Sequence, residues 1–131
     1  MTSSKESVLV DTSVWIDALR GKTPEIVVLT RELLNDDRIL TCGPVIFEIN
    51  RGLRHSERKG ITSLFDALTR LPVEEEVWEQ AGDLDASLRR KGITIPPMDI
   101  LIAQTCRDHD VSLFTLDKHF SSVPGLKLFQ G

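Results

Sequence analysis

Short apolar runs alternate along the chain with longer segments that have helical spacing. Residues 8–10 and 39–41 are continuous aliphatic or β-branched runs, which indicate buried strands. Residues 75–90 repeat their apolar positions every three to four residues, which predicts an amphipathic helix. Alternating strands and helices imply right-handed crossovers. The pattern predicts an α/β fold with a central parallel sheet of four to five strands and helices on both faces.

Residues 1–131 are expected to form a single domain with eleven elements. We expect Ser13 to cap the first helix, and the proline in the third strand favours an edge or strand-end position. In order, the predicted elements are strand 8–10, helix 13–20, helix 24–35, strand 39–41, helix 45–58, helix 61–69, strand 71–73, helix 75–90, helix 98–107, strand 111–115 and strand 126–129.

The charge balance and the cysteines restrict the class of protein. Twenty acidic and 16 basic residues give a net charge of −4, which argues against a protein that coats nucleic acid with uniform positive charge. Cys42 and Cys106 have no metal-ligand spacing, so buried free thiols are expected. Residues 2–7 are polar, and no later run is long enough to span a membrane. These features predict a cytoplasmic protein without a membrane contact.

Several acids occupy positions where metal ligands are expected. Asp11 directly follows the first strand, at the carboxyl end where open α/β sheets bind ligands. Asp117 follows the 111–115 strand and is expected at the same edge. The alternative is that Asp11 merely caps a helix and that Asp117 is a turn residue. We interpret Asp11 as a metal ligand on which three further acids converge, namely Glu48, Asp99 and Asp117.

Two of these acids belong to helices with apolar faces. Glu48 lies at the edge of the buried face of the 45–58 helix, and Arg51, His55 and Arg58 follow it at helical spacing as a basic ridge. A solvated helix face is the alternative. Asp99 lies just inside an apolar helix, where an acid tends to be paired or metal-bound. Its alternative is a favourable interaction with the helix dipole.

Four segments in this order resemble those of PIN domains and, among them, the VapC toxins of bacterial type II toxin–antitoxin systems. They are VLVDTSVW at 8–15, the Glu48 helix, MDILIA at 98–103 and FTLDKHF at 114–120. The resemblance spans residues 8–129. It implies a parallel-sheet α/β fold and a Mg²⁺- or Mn²⁺-dependent endoribonuclease. It also implies a cognate VapB-type antitoxin and a homodimer that assembles with it into a hetero-oligomer.

The resemblance also implies roles for particular residues. Thr12 or Ser13, together with Thr115, match the hydroxyl positions that support the acids. Many relatives carry a further acid where this chain has His119, so we leave His119 out of the ligand set. The acidic quartet that carries catalysis and metal binding corresponds to Asp11, Glu48, Asp99 and Asp117.

The chemistry of the acids agrees with this implication. Hard oxygen ligands select Mg²⁺ or Mn²⁺ over zinc, and a bound ion lowers the pKa of a water that attacks a phosphodiester. The expected substrate is tRNA or rRNA. Its backbone would be held without sequence choice by four basic side chains, Arg51, Arg54, Arg58 and Lys59.

Two other classes of protein remain open. An aspartate-nucleophile phosphotransfer protein has a similar size and strand-then-aspartate pattern. A phosphatase of that class would carry a second aspartate where Ser13 stands, and a receiver would carry a lysine that the region of Pro124 lacks. The other class is a non-catalytic binding module with the PIN fold. The presence of all four acids argues against this class.

Overall fold

Four short parallel strands form the centre of the molecule in the computed structural model, which describes residues 6–131. The strands lie in the order β3-β2-β1-β4, and every pairing between them is parallel. The predicted parallel sheet is therefore confirmed. The strands are β1 (Val8–Val10), β2 (Ile39–Cys42), β3 (Thr69–Leu71) and β4 (Ser112–Phe114).

The two interior strands, β1 and β2, are buried along their whole length. Strands covered on both faces by helices need continuous apolar runs, which is the pattern that both sequences show. In contrast, Thr69 and Arg70 of β3 are exposed, and β3 forms one edge of the sheet. The predicted edge position is thus correct. The strand lies two residues earlier than predicted, so Pro72 follows it.

The helices largely follow the predicted periodicity. The stripe of Val77, Ala81, Leu84 and Leu88 is buried as expected, and the positive φ of Gly92 ends that segment. Within residues 6–131 the helices are α1 (Thr12–Leu19), α2 (Pro24–Asn35), α3 (Gly43–Gly52), α4 (Arg58–Asp66), α5 (Glu75–Arg90) and α6 (Pro97–His109).

Two further predictions concern burial and the membrane. Cys42 and Cys106 are buried free thiols, as expected, and burial raises the pKa of the Cys42 thiol to about 11. Among residues 6–131, no helix combines the length and the apolar character that a membrane crossing needs. The polar opening segment was part of that prediction, and its residues 1–5 lie outside the described part of the chain.

The predicted continuous helix 45–58 is wrong. Helix α3 ends at Gly52, and Leu53 and Arg54 adopt extended backbone angles before a 3₁₀ turn at His55–Glu57 leads into α4. Leu53 packs against the core, so the apolar periodicity continues across the break although the helix does not. Arg58 stabilises the corner because its guanidinium donates to a carbonyl of α3 at 3.1 Å.

Two smaller predictions also need correction. The fifth strand at 126–129 is reduced to a single parallel bridge between Leu113 and Leu128. Ser13 does not cap α1, because the helix begins at Thr12 and Asp11 occupies the N-cap position without a side-chain capping hydrogen bond. Ser13 instead donates to the Asp11 carboxylate.

Candidate metal centre

Asp11 lies at the carboxyl end of β1, at the topological switch point of the sheet. The strand that precedes it, β1, pairs with β2 on one side and β4 on the other, and such a switch point opens a crevice at the carboxyl ends of the strands. The Asp11 amide donates to the carbonyl of Phe114 at 2.9 Å, so the two strand ends are joined. Thr115, the next residue after Phe114, therefore comes close to Asp11.

Two hydroxyl groups hold one oxygen of the Asp11 carboxylate. Ser13 Oγ and Thr115 Oγ1 each donate to Asp11 Oδ2 at 2.8 Å. The hydroxyls are fixed in turn, since the amide of Leu116 donates to Ser13 Oγ and the amide of Asp117 donates to Thr115 Oγ1. The other carboxylate oxygen, Asp11 Oδ1, is buried and has no hydrogen-bond partner within the described chain.

Glu48 and Asp99 reach the same place from two helices. Glu48 projects from α3, where it accepts a hydrogen bond from Thr12 Oγ1 at 2.9 Å. Asp99 lies in the first turn of α6 and is 8% exposed. Ligand oxygens of Asp11, Glu48 and Asp99 all lie within 4.8 Å of one another. This all-oxygen group is able to hold a divalent cation.

Asp117 belongs to a second group, which contains a residue that sequence reasoning left out. Ligand atoms of Asp99, Asp117 and His119 also lie within 4.8 Å of one another. His119 Nε2 is 2.9 Å from Asp99 Oδ2, so the imidazole touches the candidate site. The four predicted acids thus form two groups that share Asp99. The spacing of His119, two residues after a strand-end aspartate, was the available signal.

The clustered charges and burial raise the pKa values of two carboxyl groups. The pKa of Asp11 is raised, mainly because burial penalises the charged form, and the charge of Asp117 adds to this effect. Burial, followed by the charges of Asp11 and Glu48, raises the pKa of Asp99 to about 6, against a partial lowering by His119. A cation in the cluster would remove this electrostatic cost.

The donor set fits a hard divalent ion. A buried carboxylate oxygen without a partner is costly unless something satisfies it, and Asp11 Oδ1 is such an atom. The group of Asp11, Glu48 and Asp99 supplies only carboxylate oxygens, the ligands that Mg²⁺ and Mn²⁺ favour. The residues present therefore fit a bound metal ion.

The predicted basic ridge has a different shape from the one expected. Arg51 lies on α3 together with Glu48. Because α3 ends at Gly52, His55 and Arg58 lie beyond the break and do not continue the helical face of Glu48. Arg51 lies over the ring of Phe47 at 5.9 Å. The four side chains predicted to bind RNA are exposed around this corner: Arg51, Arg54, Arg58 and Lys59.

Comparisons with known proteins agree with this fold. The family model described as "PIN domain" matches residues 8–126. The chain is 32% identical over 121 residues to Ribonuclease VapC19 of Mycobacterium tuberculosis, which covers 91% of this chain and 96% of that protein. The chain therefore belongs to the PIN-domain family. Within that family its relatives are VapC ribonucleases, so the expectation of a VapC-type ribonuclease is confirmed and the phosphotransfer alternative is excluded.

Solved structures show the same fold at lower identity. The structure of VapBC2 from Rickettsia felis, bound to a DNA fragment from its promoter, matches with a TM-score of 0.78 and 20% identity over 93% of this chain and 96% of that chain. Mycobacterium tuberculosis VapC20, described as a sarcin-ricin loop cleaving toxin, matches with a TM-score of 0.72 and 18% identity over 95% and 100%. Other similar structures are toxin–antitoxin complexes.

Proposed function

We propose that this chain is a Mg²⁺- or Mn²⁺-dependent endoribonuclease whose catalytic acids are Asp11, Glu48, Asp99 and Asp117. The observation that carries the proposal is the buried, unpartnered oxygen of Asp11 within a group of three carboxylates. Its relatives' ribonuclease activity supports the reaction class. A divalent ion bound here would activate a water and stabilise charge on the phosphodiester.

The surrounding side chains keep the ligands in place. Ser13 and Thr115 both donate to Asp11 Oδ2, which leaves Oδ1 available for a ligand. Thr12 orients Glu48 from α1, and hydrogen bonds of this kind fix the direction and charge of metal-binding carboxylates. We assign Thr12, Ser13 and Thr115 to this supporting role, because each donates a hydrogen bond to one of the acids.

The substrate is expected to reach the acids across the corner between α3 and α4. Arg51, Arg54, Arg58 and Lys59 are exposed there, and cations of this kind bind phosphates without reading the sequence. The helix break spreads these charges over a corner instead of a straight face. Such a surface suits a folded RNA, so tRNA or rRNA is the substrate class that we propose.

Removal of the Asp11 charge tests the catalytic proposal. Asp11→Asn should retain the fold by far-UV circular dichroism and should slow RNA cleavage at least about 100-fold, since it weakens a contribution of several kcal/mol to the transition state. Asp83→Asn, an exposed substitution on α5, is the matched control and should cleave at the wild-type rate. A folded Asp11→Asn protein with normal activity would refute the assignment. A wild-type protein that cleaves none of the RNAs tested would favour the non-catalytic binding module with the PIN fold.

We further propose that a cognate VapB-type antitoxin covers the cleft and that the toxin forms a homodimer within the complex. Phe47 precedes Glu48 on α3 and is 54% exposed, so it offers an apolar anchor beside the acids. A basic side chain from the antitoxin would pair with the carboxylates and compete with metal. Light scattering of the complex would measure its stoichiometry.

The proposed anchor has a matched control on another helix. Trp78 of α5 is exposed to a similar extent, 53%. Phe47→Ala should weaken antitoxin binding at least about 10-fold in calorimetry, as expected for an aromatic anchor, whereas Trp78→Ala should have little effect. The reverse order would place the antitoxin on α5 and contradict the proposed location.

A further inference from the structure

The candidate site contains two ligand groups of different chemistry. One group, Asp11 with Glu48 and Asp99, supplies only oxygen atoms. The other, Asp99 with Asp117 and His119, adds an imidazole nitrogen. Because Asp99 belongs to both groups, the two groups are adjacent. Among the side chains that the structure describes in these groups, His119 alone offers a nitrogen donor.

We propose that His119 is a metal ligand that makes the second position selective for a divalent first-row transition ion over Mg²⁺. This inference rests on the proposed metal-dependent function and deepens it. Mg²⁺ is small, loses its water reluctantly and is bound through oxygen. Imidazole nitrogen is a ligand of first-row transition ions, whose affinities for nitrogen sites exceed that of Mg²⁺. One histidine among carboxylates therefore changes the preference of the position.

The arrangement of His119 and Asp99 already suits a shared ion. Two ligands about 2.1 Å from an octahedral ion are roughly 3 Å apart when they occupy adjacent positions. His119 Nε2 and Asp99 Oδ2 are 2.9 Å apart. Coordination uses a neutral imidazole and an ionised carboxylate, so both atoms would hold an ion in place of their present contact with each other.

The surroundings of His119 hold its ring and leave it accessible. Its ring centroid is 4.7 Å from that of Phe120, which is fully buried. The His119 side chain itself is 33% exposed, so an ion can reach it from solvent. A partly packed ring that remains accessible is a suitable ligand, because a side chain with restricted freedom loses less of it on binding.

A hydrogen bond that only orients Asp99 is the competing role for His119. Pulsed electron paramagnetic resonance of bound Mn²⁺ separates the two roles, since a coordinated imidazole produces a strong ¹⁴N coupling and a hydrogen-bonded one in the outer shell produces only a much weaker one. The full-length protein is first stripped with chelator and then loaded with Mn²⁺ alone. We expect the strong ¹⁴N coupling in the wild type and its loss in His119→Asp and His119→Gln.

Calorimetric titrations with Mn²⁺ and Mg²⁺ give the selectivity. His119→Asp, which makes this group all-oxygen, should lower the ratio of Mn²⁺ to Mg²⁺ affinity by about 10-fold or more, since substitutions even outside the ligand shell change metal affinity by about that much. His119→Gln should also lower the ratio, although glutamine still forms hydrogen bonds. His109→Gln is the control, because His109 ends α6 roughly 15 Å along the helix from Asp99 and should leave both readouts unchanged.

The outcomes distinguish this inference from the function on which it rests. Bound Mn²⁺ without strong ¹⁴N coupling, or an unchanged affinity ratio in His119→Asp, would overturn the role of His119 while the all-oxygen group still bound metal. Absence of binding by both ions in the wild type would overturn the proposed metal-dependent function as well. Circular dichroism of each variant establishes that the fold is retained.

Discussion

Replacement of Asp99 by asparagine should stabilise the metal-free protein at alkaline pH. Asp99 is 8% exposed, and burial together with the charges of Asp11 and Glu48 raises its pKa from 3.8 to about 6. A carboxyl group whose pKa is higher in the folded state binds its proton more tightly there. The stability associated with that proton is fully present below pH 3.8 and is lost as the pH rises through 6.

The magnitude follows from the size of the shift. A change of about two pKa units corresponds to roughly 3 kcal/mol of stability lost by the wild type above pH 6. Asparagine does not ionise, so the variant avoids this loss, but it weakens the hydrogen bond with His119 by about 1 kcal/mol. We therefore expect Asp99→Asn to gain roughly 1–2 kcal/mol in the free energy of unfolding at pH 8 and to lose up to about 1 kcal/mol at pH 4, where the weaker hydrogen bond is hardly offset.

Urea unfolding of chelator-treated protein at pH 4 and pH 8 measures this difference. Asp83→Asn on α5 is the control, because Asp83 is exposed and lies outside both ligand groups. Addition of Mg²⁺ should then stabilise the wild type more than Asp99→Asn, which reverses their order. If Asp99→Asn changed the free energy of unfolding by the same amount at pH 4 and at pH 8, the electrostatic reasoning would be refuted.

Two further predictions concern the metal and the RNA. Mg²⁺ or Mn²⁺ should raise the melting temperature of chelator-stripped protein, with a stabilisation of about 2.7 kcal/mol at 100 times the dissociation constant; no shift at millimolar metal would count against a native metal site. The double substitution Arg51→Ala, Arg58→Ala should weaken RNA binding and lower the salt slope by about 2 without changing Mn²⁺ affinity. The pair Arg89→Ala, Arg90→Ala on α5 is its control, and an unchanged slope in the Arg51, Arg58 variant would exclude the proposed RNA surface.

Local sequence patterns predicted the elements whose structure is decided by local packing. Helix α5 spans Glu75–Arg90, the range predicted from its apolar stripe, and Asp11 follows β1 as the apolar run indicated. The break after Gly52 was missed because Leu53 continues the apolar spacing and still packs against the core. A periodic pattern records which side chains are buried, and a bent segment is able to bury the same side chains as a straight helix.

The arrangement of the site depended on contacts that no local pattern records. The strand-end positions of Asp11 and Asp117 followed from the rule for parallel sheets. The contact between His119 and Asp99 joins residues 20 positions apart, and it is made by two segments that only the tertiary fold brings together. For the same reason, the sequence did not show that Asp99 is shared by two ligand groups.

The most direct test of the central proposal is the position of Mn²⁺ in crystals of the active protein. Anomalous scattering at the manganese edge would locate the ion without reference to activity. The account predicts a peak in contact with Asp11 Oδ1, Glu48 and Asp99, and no peak there in Asp11→Asn. A peak elsewhere, or none in a protein that cleaves RNA under the same metal concentration, would contradict the assignment of this cluster as the catalytic metal centre.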